Sequence, residues 1–189
     1  MSSIKHGLVF GLFVGFFAGW SLAGAESLPY DYDKPTAVAD FINTEGEGIG
    51  RAELIQGPHG MLIMLHLENV APGSGFHGIH MHQRGDCSDP EHGFPHAGGH
   101  VHDGEAGQMH GLMHPDGPHA GDLPSIYVHE GVLKYELFTT FASLDGSIGE
   151  KLLGEDGASF IIHENPDDHY TQPVGGAGRP IACAEIRQQ

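Results

Sequence analysis

The chain has 189 residues, with 8 basic against 25 acidic side chains and a formal net charge of −17 at neutral pH. That balance excludes a nucleic-acid partner, because holding phosphates requires basic neutralisation. The length suits one domain, and a hydrophobic content of 39% is enough to build its core.

At the start of the chain, Lys5 and His6 precede an apolar run from Leu8 to Leu22, and Ala23-Gly24-Ala25 supplies small residues at a cleavage position. Residues 1–25 therefore read as a secretory signal peptide. An uncleaved anchor is the alternative, since the run is near the lower length for spanning a bilayer. No later stretch is apolar enough to cross, so no membrane association is expected after cleavage. Residues 26–35 form a Pro-containing, acidic lead-in, and residues 36–189 form the domain.

Within the domain, Thr36 to Ile42 alternates loosely, and Glu45-Gly46-Glu47-Gly48 reads as a turn. Gly50 to Ile55 and Met61 to Leu67 read as strands joined through Gly57-Pro58-His59-Gly60. Gly78 to Gln83 is a fourth strand. From Gly85 to Leu123 the chain is rich in Gly, His, Pro and Asp and has almost no aliphatic periodicity. A loop that long in a compact domain is usually functional. Strands resume at Ser125 to Val128, Val132 to Ala142 and Ala158 to His163, with room for a helical turn near Leu144 to Leu153. A second loop, Glu164 to Pro180, leads to a closing strand, Ile181 to Ile186. Short strands separated by turn signals define an all-β sandwich or barrel with two long loops.

The 16 histidines crowd between His77 and His119. His80 and His82, two apart on a strand, point to one face and can reach one ion. His100 follows the Gly98-Gly99 pair, and His110, His119 and Asp122 come later in the same loop. Three histidines and a carboxylate suit a closed tetrahedral zinc site. His163 ends a distant strand. Imidazole-rich sets suit copper as well as zinc, so ligand type alone leaves the metal open. His114 competes with His110 for the same role, and otherwise His114, with His92, His96, His102 and His169, reads as a solvated loop residue or part of a weak secondary metal patch. Cys87 and Cys183 are the only cysteines, and in an exported chain they read as one disulfide.

The runs GFHGIHMHQRGDC (residues 75–87), GGH (98–100), HAGDLP (119–124), HENPDD (163–168) and GGAGRPIAC (175–183) resemble the copper,zinc superoxide dismutases, in family order over nearly the whole domain. The resemblance implies a flattened eight-stranded Greek-key barrel of immunoglobulin-like sandwich form. It makes His80, His82, His100 and His163 copper ligands, and His100, His110, His119 and Asp122 zinc ligands, with His100 the bridge. Asp167 matches the carboxylate linking a copper histidine to a zinc histidine, and Cys87–Cys183 matches the family disulfide. The implied reaction dismutates superoxide, a small-molecule substrate, to oxygen and hydrogen peroxide through one-electron cycling of copper. In it His100 releases copper and takes a proton.

One departure stands out. The family carries an arginine three residues before the second disulfide cysteine. Here that position is Pro180, and Arg179 is the nearest candidate for attracting the anion. With no lysine in the last loop, a slower or less salt-sensitive enzyme is expected. A non-enzymatic copper- and zinc-buffering protein with a dismutase fold is the alternative. The HMHQRGDC segment resembles bacterial periplasmic members, so the periplasm is favoured over an extracellular destination. A homodimer is among the assemblies left open.

Overall fold

The computed structural model describes residues 34–71, 73–104 and 107–189. The expected signal peptide, and the lead-in up to residue 33, lie outside the described residues.

The strands are β1 (Ala37–Asn43), β2 (Gly48–Gly57), β3 (Gly60–Leu67), β4 (Gly75–His77), β5 (Ile79–His82), β6 (Ile126–Val128), β7 (Leu133–Thr139), β8 (Ala142–Ser143), β9 (Glu150–Lys151), β10 (Ser159–His163) and β11 (Pro180–Gln188). An antiparallel ladder runs in the order β5-β10-β11-β1-β2-β3-β7, and β4 pairs with β6 in a second one. β4 and β5 are one strand interrupted at Gly78, and β6 lies beside β7. The short ladder therefore joins the two edges of the long one and curls the sheet into an eight-stranded barrel. The chain leaves β3 for the far edge and returns to β3's free side only at β7, a Greek-key route.

Apolar alternation explains the interior. Phe41, Leu54, Met61, Ile63, Leu65, Ile79, Phe160 and Ile162 are fully buried, and the Phe41 and Phe160 rings stack with centroids 6.1 Å apart. Burying each such side chain stabilises the fold by about 1.5–3 kcal/mol before entropy is counted.

β5 and β10 are buried on both faces, and this sets the site. Ile79 and Met81 enter the barrel core, while His80 and His82 point the other way and are still buried. On β10, Ile161 lies opposite His80 and Ser159 opposite His82. The long loops supply the cover. Residues 99–101 and 121 lie along β5, with Met81 N–H donating to Gly121 O and Val101 N–H to Met81 O.

The Gly85–Leu123 loop, expected to be irregular, contains two short 3-10 turns at Pro90–His92 and Pro95–Ala97. Phe94 and Ala97 pack with Ile161 around the Cys87–Cys183 disulfide, whose Cα atoms are 5.7 Å apart. The expected helical turn near Leu144–Leu153 does not form. Gly146 and Gly149 take positive φ, and Ser143 Oγ accepts the N–H groups of Gly146 and Ile148, so the segment bends and pairs β8 with β9 instead. No helix among the described residues is long and apolar enough to cross a membrane.

Candidate metal centre

His80, His82, His100 and His163 each bring one ring nitrogen within 4.8 Å of the others. Barrel strands hold three of them, and His100 arrives on the loop through a bridge to His82. Hydrogen bonds decide which nitrogen of each ring faces inward. His80 Nε2 lies 2.7 Å from Asp167 Oδ2, His82 Nδ1 2.7 Å from Gly98 O, and His163 Nδ1 3.0 Å from Gly178 O. Each of those partners only accepts, so each of these nitrogens carries the proton and its opposite number carries a lone pair. The opposite nitrogens, His80 Nδ1, His82 Nε2 and His163 Nε2, are buried without a hydrogen-bond partner, as is His100 Nε2. Four converging, unpartnered ring nitrogens form a donor set for a borderline-soft metal ion. The group is almost fully buried, with His82 8% and His100 5% exposed.

A second set, His80, His100, His110 and Asp122, meets the same spacing. His100 Nδ1 and His110 Nδ1 both lie 2.9 Å from Asp122 Oδ1, while Asp122 Oδ2 accepts the N–H groups of Gly111 and His119. His119 falls outside that tight group. Its ring centroid is 5.7 Å from that of His100, and its Nδ1 is buried without a partner. His100 thus faces one set with each ring nitrogen, the geometry of a bridge. Asp167 links the two sets, holding His80 through Oδ2 and His110 Nε2 through Oδ1 at 3.1 Å. Gly175, at φ +62, lies so close to Asp167 that a Cβ there would overlap the carboxylate.

The electrostatics of the two sets differ. Burial holds His80 down at about 3 and His163 at about 4, and drives His82 well below its ordinary value. Burial also opposes charging His110, yet hydrogen bonds to Asp122 and Asp167 outweigh it and raise His110 to about 9. Both carboxylates are held below the usual range, because hydrogen bonds from the histidines outweigh their burial. Burial lowers His119.

Other expected residues fall elsewhere. His114 lies tilted against Tyr170 with centroids 5.0 Å apart and accepts the Asp116 N–H, outside both sets. Among the described residues, none of His92, His96, His102, His114 and His169 joins a group of three metal-type ligands. Between Arg179 and Cys183 the last strand bulges at Ile181, where the β10–β11 register slips so that His163 lies opposite Pro180. Arg179 is 87% exposed and paired with Glu164 at 3.2 Å. Sequence reasoning passed over two residues. His77, buried on β4, lies with Nδ1 2.8 Å from the His163 carbonyl and so fixes the backbone of that ligand. It stands within the same histidine-rich run, which was its only signal. Gln172 bonds the His110 backbone, and nothing in its neighbourhood marks it.

Fold and site define a Greek-key barrel with two adjoining buried groups of candidate metal ligands that share His80 and His100. The family model for copper/zinc superoxide dismutase matches residues 49–186, and the chain belongs to that family. It is 42% identical to a Cu-Zn superoxide dismutase of Caulobacter vibrioides, over 76% of this chain and 80% of the relative. It is 40% identical to Cu-Zn superoxide dismutase 2 of Aquifex aeolicus, over 92% of this chain and 97% of the relative. The crystal structure of a double mutant of a SOD-like protein from Bacillus subtilis superposes with a TM-score of 0.72 at 34% identity, covering 78% of this chain and 95% of that one.

Proposed function

We propose that this chain dismutates superoxide, with copper held by His80, His82, His100 and His163 and zinc by His100, His110, His119 and Asp122. The observation that carries the reading is the set of buried ring nitrogens whose protonation the surrounding carbonyls and carboxylates dictate. The residues fit the metals. Three neutral imidazoles and one shared ring suit copper, while a carboxylate with histidines suits zinc. Bound copper supplies one-electron redox chemistry beside a zinc ion that has none.

The protein's own part is to hold the donors and move a proton. His80, His82 and His163 keep theirs on nitrogens tied to Asp167, Gly98 and Gly178, and are poor proton carriers. His100 differs, because its second nitrogen faces Asp122 and the zinc set. It is the ring that would take a proton at Nε2 and pass it on, with Nδ1 directed to the zinc set. Arg179 is the candidate for drawing the anion in, and its pairing with Glu164 limits that role.

The disulfide supports export to an oxidising compartment, the periplasm in a bacterium, after removal of residues 1–25. N-terminal sequencing of the exported protein should start at Glu26, and a retained Met1 would reject cleavage. The Arg179–Glu164 pair also favours a second reading, a copper and zinc buffer with little turnover. Pulse radiolysis with metal analysis on the same sample separates the two. Fast superoxide decay in fully loaded protein establishes the enzyme, and full loading with decay no faster than buffer establishes the buffer.

A further inference from the structure

The last loop carries none of the residues assigned to zinc, yet it grips one of them. His110 N–H donates to Gln172 Oε1 at 3.0 Å, and Gln172 Nε2 donates to His110 O at 2.8 Å. One carboxamide thus satisfies both backbone polar groups of His110, as a neighbouring strand would. Its second amide proton goes to Tyr170 O at 2.9 Å, which fixes the carboxamide's own orientation. Among the described residues, the His110 backbone takes no other backbone hydrogen bond. The seam extends through Met113 N–H, which donates to His169 O at 3.0 Å. Gly111, at φ +116, packs so tightly on His169 O that a Cβ there would collide with it.

The ring of His110 is held separately, at Nε2 by Asp167 and at Nδ1 by Asp122. A metal ion taking Nδ1 would remove the second of these. Asp167 alone would then orient the ring, and the backbone clamp becomes the other constraint on where Nδ1 points. We propose that Gln172 is a positioning residue for the zinc site, clamping the His110 backbone so that the last loop controls zinc retention. The inference rests on His110 being a zinc ligand.

The test uses the mature, copper- and zinc-loaded protein. Gln172→Met keeps side-chain length and removes both hydrogen bonds to His110, whereas Gln172→Glu keeps the acceptor for the His110 N–H and loses the donor. Zinc retention is read by competition with a chromophoric chelator, copper is measured on the same samples, and cobalt is placed in the zinc site for its visible spectrum. Gln172→Met is expected to weaken zinc retention by about ten-fold or more, the range typical of partners that orient metal ligands. Copper should stay bound and the cobalt bands should shift, with Gln172→Glu falling between wild type and Gln172→Met. Zinc retention within about two-fold of wild type, or equal loss of copper and zinc with an unchanged cobalt spectrum, would overturn the proposal. His110→Ala, run alongside, separates the two levels. If it holds zinc as wild type does, the ligand assignment fails; if it loses zinc while Gln172→Met does not, only the clamp fails.

Discussion

The two halves of the site are built from the same side chain by opposite means. On the proposed copper side, His80, His82 and His163 sit on barrel strands, buried and neutral, each steered by one fixed acceptor. On the proposed zinc side, His110 sits on a loop and is held as a cation between Asp122 and Asp167. One half is preorganised by backbone geometry and the other by charge. The comparison teaches that a rigid scaffold can leave ring nitrogens bare and waiting, whereas a loop needs an internal ion pair to keep its shape until a divalent cation replaces the proton.

The largest break in this comparison should come from removing a copper-side ring. His163→Ala is expected to drop superoxide decay to the buffer background while zinc content, by atomic absorption, is unchanged. Losing zinc and copper together would show that the halves are not separately built. Asp167 touches both sides, but His110 depends on it more than strand-borne His80 does. Asp167→Ala should therefore weaken zinc binding by about 10–100-fold and copper binding by less. Equal losses would argue that Asp167 serves the two halves alike.

A finer test uses pH on the metal-free protein. His80, His82 and His163 have pKa values lowered by burial on folding, so their contribution is complete above about 6.5 and is lost as pH falls, for His80 and His163 toward about 3 and about 4. His110 has its value raised, so its contribution is complete below about 6.5 and is lost as pH rises through about 9. Thermal melts of the apoprotein should peak near the middle of that range and fall on both sides, and metal loading should flatten both limbs. A melting temperature that keeps rising to pH 10 would remove the charged-loop half of the account. The smallest effect belongs to Arg179. Exposed ion pairs contribute little, so Arg179→Ala should slow dismutation by less than about two-fold and leave its salt dependence shallow. A ten-fold loss would show that the arginine reaches the anion despite Glu164.

How much of this was legible in the sequence follows the same division. Strand positions were readable because Ile79, His80, Met81 and His82 alternate with period two, and that period places both histidines on one face. The residue types that gather at the site, their order in the chain and the disulfide were readable too. The Ile181 bulge was not, because no residue pattern marks where a ladder slips, and the register alone shows it. Neither His77 nor Gln172 could be assigned, since each acts on a main-chain group distant in sequence. Side chain to backbone contacts of that kind leave no spacing to read. The short β8–β9 pair was missed for a related reason, as Ser143 organises it through local hydrogen bonds that carry no hydrophobic pattern.

The central claim, two differently built centres joined by His100, is tested most directly by crystals of the loaded protein measured at the copper and zinc absorption edges. The account predicts a copper peak among His80 Nδ1, His82 Nε2, His100 Nε2 and His163 Nε2. It predicts a separate zinc peak among His100 Nδ1, His110, His119 and Asp122. A single mixed-metal position, or zinc bound without His110 and His119, would contradict it.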